Sequence, residues 1–519
     1  MPLERDYKLR IGIKHPKQVT PQPLIPMRRT KIICTVGPAT SAPEKLQALV
    51  EAGMNVARLN FSHGAYEFHA QTAQYLRQIS TEQQKPIAIM QDLCGPKIRL
   101  GILPPEGLNL EAGSEVTFVL QQKGESIDEL PLPLPTLFAM VRPGEPILIN
   151  DGRVKLIVTD RDADRIRAEV KIGGLISTNK GVNLPQTPLP VSSITEKDLL
   201  DLRFGIQLGV DWVAVSFVRS PQDLEPARRM IEAAGASIRL IAKIERAEAV
   251  EQFDSILKVA DGIMIARGDL GVEMPIHEVP LIQKDITRRC NYAGKPVITA
   301  TQMLESMISS PDPTRAEATD VANSILDGTD AVMLSGETAV GQYPVAAVQM
   351  MHNIAVRTEQ ALDEGSRHSW CHEAGSLSVT ESVAESVCRI AYETGSRAIL
   401  CNTTSGNTAR MVSKYRPTSA IIALTPDITA YRQLALSWGV EPLLIPPVHN
   451  AEEMFSNVVN TVVEMGLANQ GDKVVITSGV PIGKSGTTSL IKVHSIDSQF
   501  RHKTLRIGLW LWIISKLEQ

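Results

Sequence analysis

Lys243 and Glu245 stand two apart in Ile241-Ala242-Lys243-Ile244-Glu245. On an extended strand they share one face while Ile244 turns to packing. Asp269 follows a second apolar run, in Ala266-Arg267-Gly268-Asp269-Leu270-Gly271. Two carboxylates from neighbouring strands can hold one hard cation, and Mg²⁺ favours few protein carboxylates, completed by substrate oxygens and water. A salt bridge to Lys243 explains Glu245 equally well, because ion pairs also build structural networks. Asp269 and the glycines beside it tip the reading towards metal. Gly268 lets a substrate carboxylate approach backbone N–H groups closely. Arg58 offers a guanidinium fork suited to phosphate, and Lys243 a point charge suited to a developing enolate or a phosphoryl group in flight. Such chemistry depends mainly on positioning and on neutralising charge. Thr301 can relay a proton, although strand chemistry alone makes it a β-branched core residue.

A second cluster, Thr403-Thr404-Ser405-Gly406-Asn407-Thr408, lies between a strand pattern and a helix pattern. Hydroxyls and backbone N–H groups there make a phosphate cradle, while an ordinary capped helix needs the same residue types. Ser478-Gly479-Val480-Pro481-Ile482-Gly483-Lys484-Ser485 mimics a nucleotide-binding loop but fails on count, with three residues between its glycines where four are required.

Eight short apolar or β-branched runs must position the first cluster: Lys31–Val36, Asn55–Asn60, Pro86–Asp92, Asp211–Phe217, Arg239–Glu245, Gly262–Ala266, Pro296–Thr301 and Asp330–Ser335. Each precedes a helical pattern, so parallel strands joined by crossover helices are expected, and eight such units make a TIM (β/α)8 barrel. Their C-terminal ends carry Arg58, Asn60, Ser62, His63, Asp92, Ser216, Lys243, Glu245, Asp269, Thr301 and Glu337, a concentration of polar groups at the end where barrel sites form. Between the third and fourth runs, Leu93 to Val210 reads largely as short strands, namely Ser114–Leu120, Ile147–Asn150, Val154–Thr159 and Arg165–Ile172. This predicts a small inserted β-barrel lid over the site. After Met350 a second α/β pattern begins. The expected domains are an arm at 1–27, the barrel at 28–94 and 191–360, the lid at 95–190, a C-terminal α/β domain at 361–496 and a tail at 497–519.

With 519 residues, 43% hydrophobic and 21% charged, the chain has the composition of a globular protein of about three domains. Its net charge of −4 argues against nucleic acid as partner. The six cysteines (Cys34, Cys94, Cys290, Cys371, Cys388 and Cys401) include no C-x-x-C pair, which fits a reducing cytoplasm and buried thiols. The first 27 residues lack an apolar signal core. The run Ile507–Ile514, with Trp510 and Trp512, is too short to span a membrane and is expected to pack on protein.

These residues resemble the pyruvate kinase family over roughly positions 28 to 496. The resemblance is carried by Ala57-Arg58-Leu59-Asn60-Phe61-Ser62-His63-Gly64, Lys180-Gly181-Val182-Asn183-Leu184-Pro185, Ile241 to Glu245, Asp261 to Gly271, Lys295 to Glu305 and Met333-Leu334-Ser335-Gly336-Glu337-Thr338. It implies Mg²⁺-dependent transfer of a phosphoryl group from phosphoenolpyruvate to ADP, the last step of glycolysis. Arg58 then contacts phosphoenolpyruvate, Glu245 and Asp269 bind Mg²⁺, and Lys243 stabilises the transition state. Gly268, Asp269 and Thr301 hold the substrate carboxylate, with Thr301 also implicated in protonating the enolate. Asn60, Phe61, Ser62, His63, Arg99 and Lys180 contact the nucleotide. The loop Thr403 to Thr408 takes a sugar-phosphate or nucleotide effector, with Lys484 and Thr487 beside it, and the assembly is a homotetramer. K⁺-dependent relatives have glutamate and threonine where this chain has Lys97 and Leu93, so activity without K⁺ is implied, with Asn60, Ser62 and Asp92 as remaining ligands for such an ion. The rivals are a Mg²⁺-dependent pyruvate-enolate lyase or aldolase, which has no need of Arg99 and Lys180, and a non-catalytic sugar-phosphate sensor.

Overall fold

The structure, a computed structural model, describes residues 28–187, 192–362, 377–448, 450–479 and 488–496. The arm, the tail, Cys371, Lys484 and Thr487 lie outside the described residues. Eight parallel strands close into a barrel: Lys31–Val36, Val56–Asn60, Ala88–Asp92, Trp212–Val215, Arg239–Ile244, Gly262–Ala266, Val297–Ala300 and Ala331–Leu334. Each pairs with the next in sequence, and the last closes on the first with Lys31 opposite Ala331. All eight expected runs are strands; Lys31–Val36 and Gly262–Ala266 keep the expected bounds, and the other six are trimmed at one or both ends.

Two cores flank this sheet. Ile33, Val56, Met90, Trp212, Ala214, Ile241, Met264 and Ile298 fill the barrel interior. Ala57, Leu59, Ile89, Leu240, Ala242, Ile244 and Ile265 pack outwards against the helices. Strand alternation thus assigns every residue a side. Helices begin where side chains can satisfy the free N–H groups: Thr195 with Asp198, Thr314 with Glu317 and Ser378 with Glu381 each form a capping box.

The insertion after the third strand is a six-stranded sheet with a separate two-stranded pair, built on its own core around Phe118, Phe138, Ile147, Leu156 and Ile166. Its long strands, Glu115–Val119, Val154–Arg161 and Arg165–Ile172, were visible as runs, but Leu108–Leu110, Leu130–Pro131, Gly174–Ile176 and Val182–Asn183 are too short for periodicity to register. The chain leaves the third strand through Gly95, where φ is 67° and a Cβ would stand 2.8 Å from the Phe217 ring. Only glycine fits that turn.

The C-terminal part is a five-stranded sheet in the order Val440–Leu444, Ala420–Thr425, Ala398–Asn402, Lys473–Gly479, Thr488–Ser495. Only the last strand is antiparallel; sequence reading missed it because this edge strand buries little and alternates weakly. The turn Leu434–Leu436 reaches the barrel and contributes Ala435 and Leu436 to its interior core.

Candidate active site

Alternation decides which side chains converge. Val56 faces the barrel interior and Ala57 the helices, so Arg58 and Asn60 also point inwards. The same logic turns in Asp92 after Met90, Ser216 after Ala214, and Lys243 and Glu245 after Ile241. Lys243 Nζ lies at the centre, donating to Ser216 Oγ at 2.7 Å and standing 2.9 Å from Glu245 Oε1 and 3.3 Å from Asp92 Oδ1. Arg58 Nε pairs with the other Asp92 oxygen at 2.6 Å, and its Nη1 donates to Thr35 Oγ1 at 3.0 Å. Both oxygens of Asp92 are therefore engaged by cations. Leu93 is buried, and its carbonyl accepts from Ser216 Oγ at 2.7 Å.

Burial dominates the electrostatics, and neighbouring charges then decide the sign. It pushes the Lys243 ammonium down, but Asp92 and Glu245 outweigh it and hold the pKa above the ordinary value. Burial pushes the Asp92 carboxyl up, yet Lys243 and Arg58 keep it below the usual range. For Glu245 burial wins: with the Asp269 charge adding to it, the carboxyl stays raised against the pull of Lys243. The Asp269 charge thus reaches both Lys243 and Glu245. A dication at this point would relieve the repulsion between the two carboxylates. Among the described residues no three His, Cys, Asp or Glu side chains converge as a metal cage; one buried carboxylate, Glu245, and one partly exposed, Asp269, would suit Mg²⁺, which keeps sites for water and substrate.

Glu245 is fixed from its far side, where Phe217 N donates to Oε2 at 2.6 Å. Asp269 and Gly268 begin the short helix Arg267–Glu273. Thr301 lies just beyond the seventh strand at φ 68°, followed by Gln302 at 53°. It is not a barrel-core residue: its Oγ1 accepts from Gly268 N at 2.8 Å and donates to the Ala300 carbonyl at 2.6 Å. Arg267 clamps this turn, donating to the Thr301 carbonyl at 2.8 Å and to Asp320 at 2.7 Å. Such positive φ values in non-glycine residues are strained and collect at functional sites. Lys97, from the insertion, places its ammonium 3.9 Å from Asp269 Oδ1.

Of the other expected residues, Ser62 N donates to Asn60 Oδ1 at 3.1 Å, and His63 is exposed. The Phe61 side chain is buried and stacked on His69, with centroids 4.1 Å apart, so it shapes the loop instead of facing the mouth. Arg99 pairs with Gly181 across the insertion, beside Lys180, and its Nη1 donates to the Asn179 carbonyl at 3.0 Å. Glu337 is not brought into the cluster; its carboxylate accepts from Leu304 N at 3.1 Å and Ser335 N at 2.7 Å. Sequence reasoning missed Thr35, Arg246, Glu273 and the contact made by Asn183. Glu273 Oε1 accepts from Asn183 of the insertion at 3.1 Å and from Arg246 at 3.3 Å. Glu273 lies four residues after Asp269, one helical turn on, which was the available signal.

In the C-terminal sheet, Thr403 to Thr408 joins the strand Ala398–Asn402 to the helix Asn407–Lys414. Gly406 takes φ 78° at the turn, Thr403 N donates to the Leu424 carbonyl at 3.0 Å, and Thr408 Oγ1 lies 2.8 Å from Thr488 Oγ1. None of the five described cysteines is in a disulfide. No helix among the described residues is long and apolar enough to cross a membrane.

A barrel enzyme with an inserted domain and a buried cluster of charged side chains at the C-terminal mouth is the class that this fold and geometry define. Residues 27–348 match the model of the pyruvate kinase barrel domain, and residues 381–494 that of the pyruvate kinase alpha/beta domain. The chain is 47% identical over 473 residues to a pyruvate kinase of Geobacillus stearothermophilus and 46% identical to one of Bacillus licheniformis, covering 91% of this chain and 81% of each relative. It is 44% identical to a pyruvate kinase of Staphylococcus aureus over the same shares. The chain belongs to the pyruvate kinase family.

Proposed function

We propose that this enzyme transfers the phosphoryl group of phosphoenolpyruvate to ADP, giving pyruvate and ATP at the end of glycolysis. One observation carries this reading: Lys243 stands between Asp92 and Glu245, with Arg58 braced on the same aspartate. Two fixed cations in a buried mouth match the charge that spreads over a phosphoryl group in flight. Arg58 holds the phosphate end of phosphoenolpyruvate. Gly268, Asp269 and Thr301 orient its carboxylate, and Thr301 Oγ1 sits where a proton can be delivered to the enolate. Lys243 neutralises the enolate oxygen. Glu245 and Asp269 hold Mg²⁺, which when bound neutralises the phosphate and carboxylate oxygens. Asn60, Ser62 and His63, with the backbone of Phe61, face ADP from the barrel, and Arg99 and Lys180 face it from the lid, where closure screens the transfer from water.

We extend the reading to the rest of the molecule. The working division is barrel at 28–94 and 191–360, lid at 95–190 and a regulatory domain at 361–496, in a cytoplasmic homotetramer. The loop Thr403 to Thr408 receives a phosphorylated effector. Activity needs no K⁺, because the Lys97 ammonium near Asp269 supplies the charge and the Leu93 side chain offers no oxygen. An enolate lyase or aldolase would not use Arg99 and Lys180, and membership of the family favours the kinase. The deciding assay couples pyruvate to lactate formation. Pyruvate should appear only with phosphoenolpyruvate, ADP and Mg²⁺ together, and release without ADP would reverse the assignment.

A further inference from the structure

Phe217 stands just beyond the fourth barrel strand, Trp212–Val215, at φ 54°. A non-glycine residue takes that conformation only where its surroundings impose it, and such strain gathers at functional sites. Here the surroundings are specific. The Phe217 N–H donates to Glu245 Oε2 at 2.6 Å, and its carbonyl accepts from Ser193 Oγ at 2.8 Å. Its ring lies against Gly95, where a Cβ would stand 2.8 Å from it. Ser216, the residue before it, accepts from Lys243 Nζ and donates to the Leu93 carbonyl, both at 2.7 Å.

These contacts meet where the insertion is attached. The chain leaves the barrel through Gly95 and has returned to it by Ser193, which is buried. Asp198, also buried, pins both crossings from outside: Oδ1 accepts from Gly95 N at 3.1 Å and Oδ2 from Thr195 N at 2.9 Å. Phe217 is the inner side of the same junction. Its N–H and carbonyl lie on the two rigid peptide planes that flank one Cα, so a shift of the Ser193 donor reaches Glu245 through the φ and ψ of a single residue. A cavity of about 40 Å³ beside the ring, lined also by Pro96, Lys97 and Ser193, leaves the junction room to move. A carboxylate oxygen has more than one acceptor site, so Oε2 can hold this N–H and still face a cation. We propose that Phe217 is a positioning residue for the metal carboxylate: the two crossings of the insertion hold its backbone, and its backbone aims Glu245, so that the attachment of the lid tunes affinity for the divalent ion. This rests on the reading of Glu245 as a Mg²⁺ ligand.

Mn²⁺ shares the preference of Mg²⁺ for octahedral oxygen ligands and is visible by electron paramagnetic resonance. Its titration into the full-length enzyme, without substrates, tests the proposal. Ser193→Ala removes the donor to the carbonyl, and Phe217→Leu removes the ring against Gly95. Each should weaken Mn²⁺ binding about 3- to 10-fold. Because both act through one residue, the double variant should lose less than the product of the two factors. Thermal midpoints in EDTA report separately on folding. Lower midpoints with unchanged Mn²⁺ affinity in both single variants would make Phe217 a packing residue and overturn the proposal. Losses that simply multiply would show two independent effects and overturn the coupling. Glu245→Gln checks the reading beneath it and should remove most of the binding. Full Mn²⁺ affinity in that variant, or no binding to the unaltered enzyme at millimolar Mn²⁺, would overturn the metal assignment and the proposal together.

Discussion

Lys243 is a charged side chain in a place where burial works against its charge; Asp92 and Glu245 outweigh that burial and keep it protonated. Its neutral isostere should lose the chemistry and keep much of the binding. For Lys243→Met we expect kcat to fall by about a thousandfold or more, with phosphoenolpyruvate still protecting the protein against thermal unfolding. Unchanged turnover would remove the residue from the mechanism. Lys97 makes a separate prediction. Rates in buffers containing only Na⁺, only K⁺ or only tetraalkylammonium should agree within about twofold, since its own charge sits 3.9 Å from Asp269. A many-fold K⁺ requirement would defeat that reading.

At the scale of elements, the lid meets the barrel through a few polar contacts. Asn183 Nδ2 reaches Glu273 in the helix that also carries Asp269, and Arg246 holds the same carboxylate. Glu273 is otherwise awkward. Its Oε2 is buried without a hydrogen-bond partner, and burial raises its carboxyl against the charge of Arg246. The Asn183 contact is thus one of the restraints on lid posture. A hydrogen bond to a charged group contributes about 1.5–3 kcal/mol, part of which the lid recovers elsewhere. Asn183→Ala should raise KM for ADP roughly 3- to 10-fold, with KM for phosphoenolpyruvate little changed. Steady-state kinetics with each substrate varied separates the two, and equal changes in both would contradict a lid-specific role.

The whole molecule is tied together at the N-terminal end of the barrel. Leu436 enters the interior core, Gln433 donates to the Ser237 carbonyl at 2.6 Å, and Lys31 Nζ donates to the Val440 carbonyl at 2.8 Å. Burial pushes the Lys31 pKa down from 10.5 to about 8, against the Glu441 charge. Between those values the unfolded chain holds the proton and the folded chain does not, so this group makes stability rise with pH through the window from about 8 to 10.5. Below pH 8 both states are protonated, and the fold bears the full cost of the buried charge. Lys31→Met should flatten the rise, which urea midpoints measured at pH 8 and pH 10 for both proteins would reveal. An identical slope in the variant would exclude Lys31 as its source.

Much of this protein was already determined by its order of residues. Strand and helix periodicity defined the barrel, and the two-residue step from Lys243 to Glu245 set them on one face, because side-chain direction in a strand is a local property of the backbone. Tertiary structure decided what depends on partners distant in the chain. Asp92 became the anchor of both cations, Thr301 left the core for a strained turn, Phe61 turned inwards on His69, and Glu273 joined lid to barrel. Arg228 and Thr404, more than a hundred positions apart, likewise come to line one cleft. No local pattern encodes such pairings, since they arise only when closing the barrel and docking the last domain set the distances between charges.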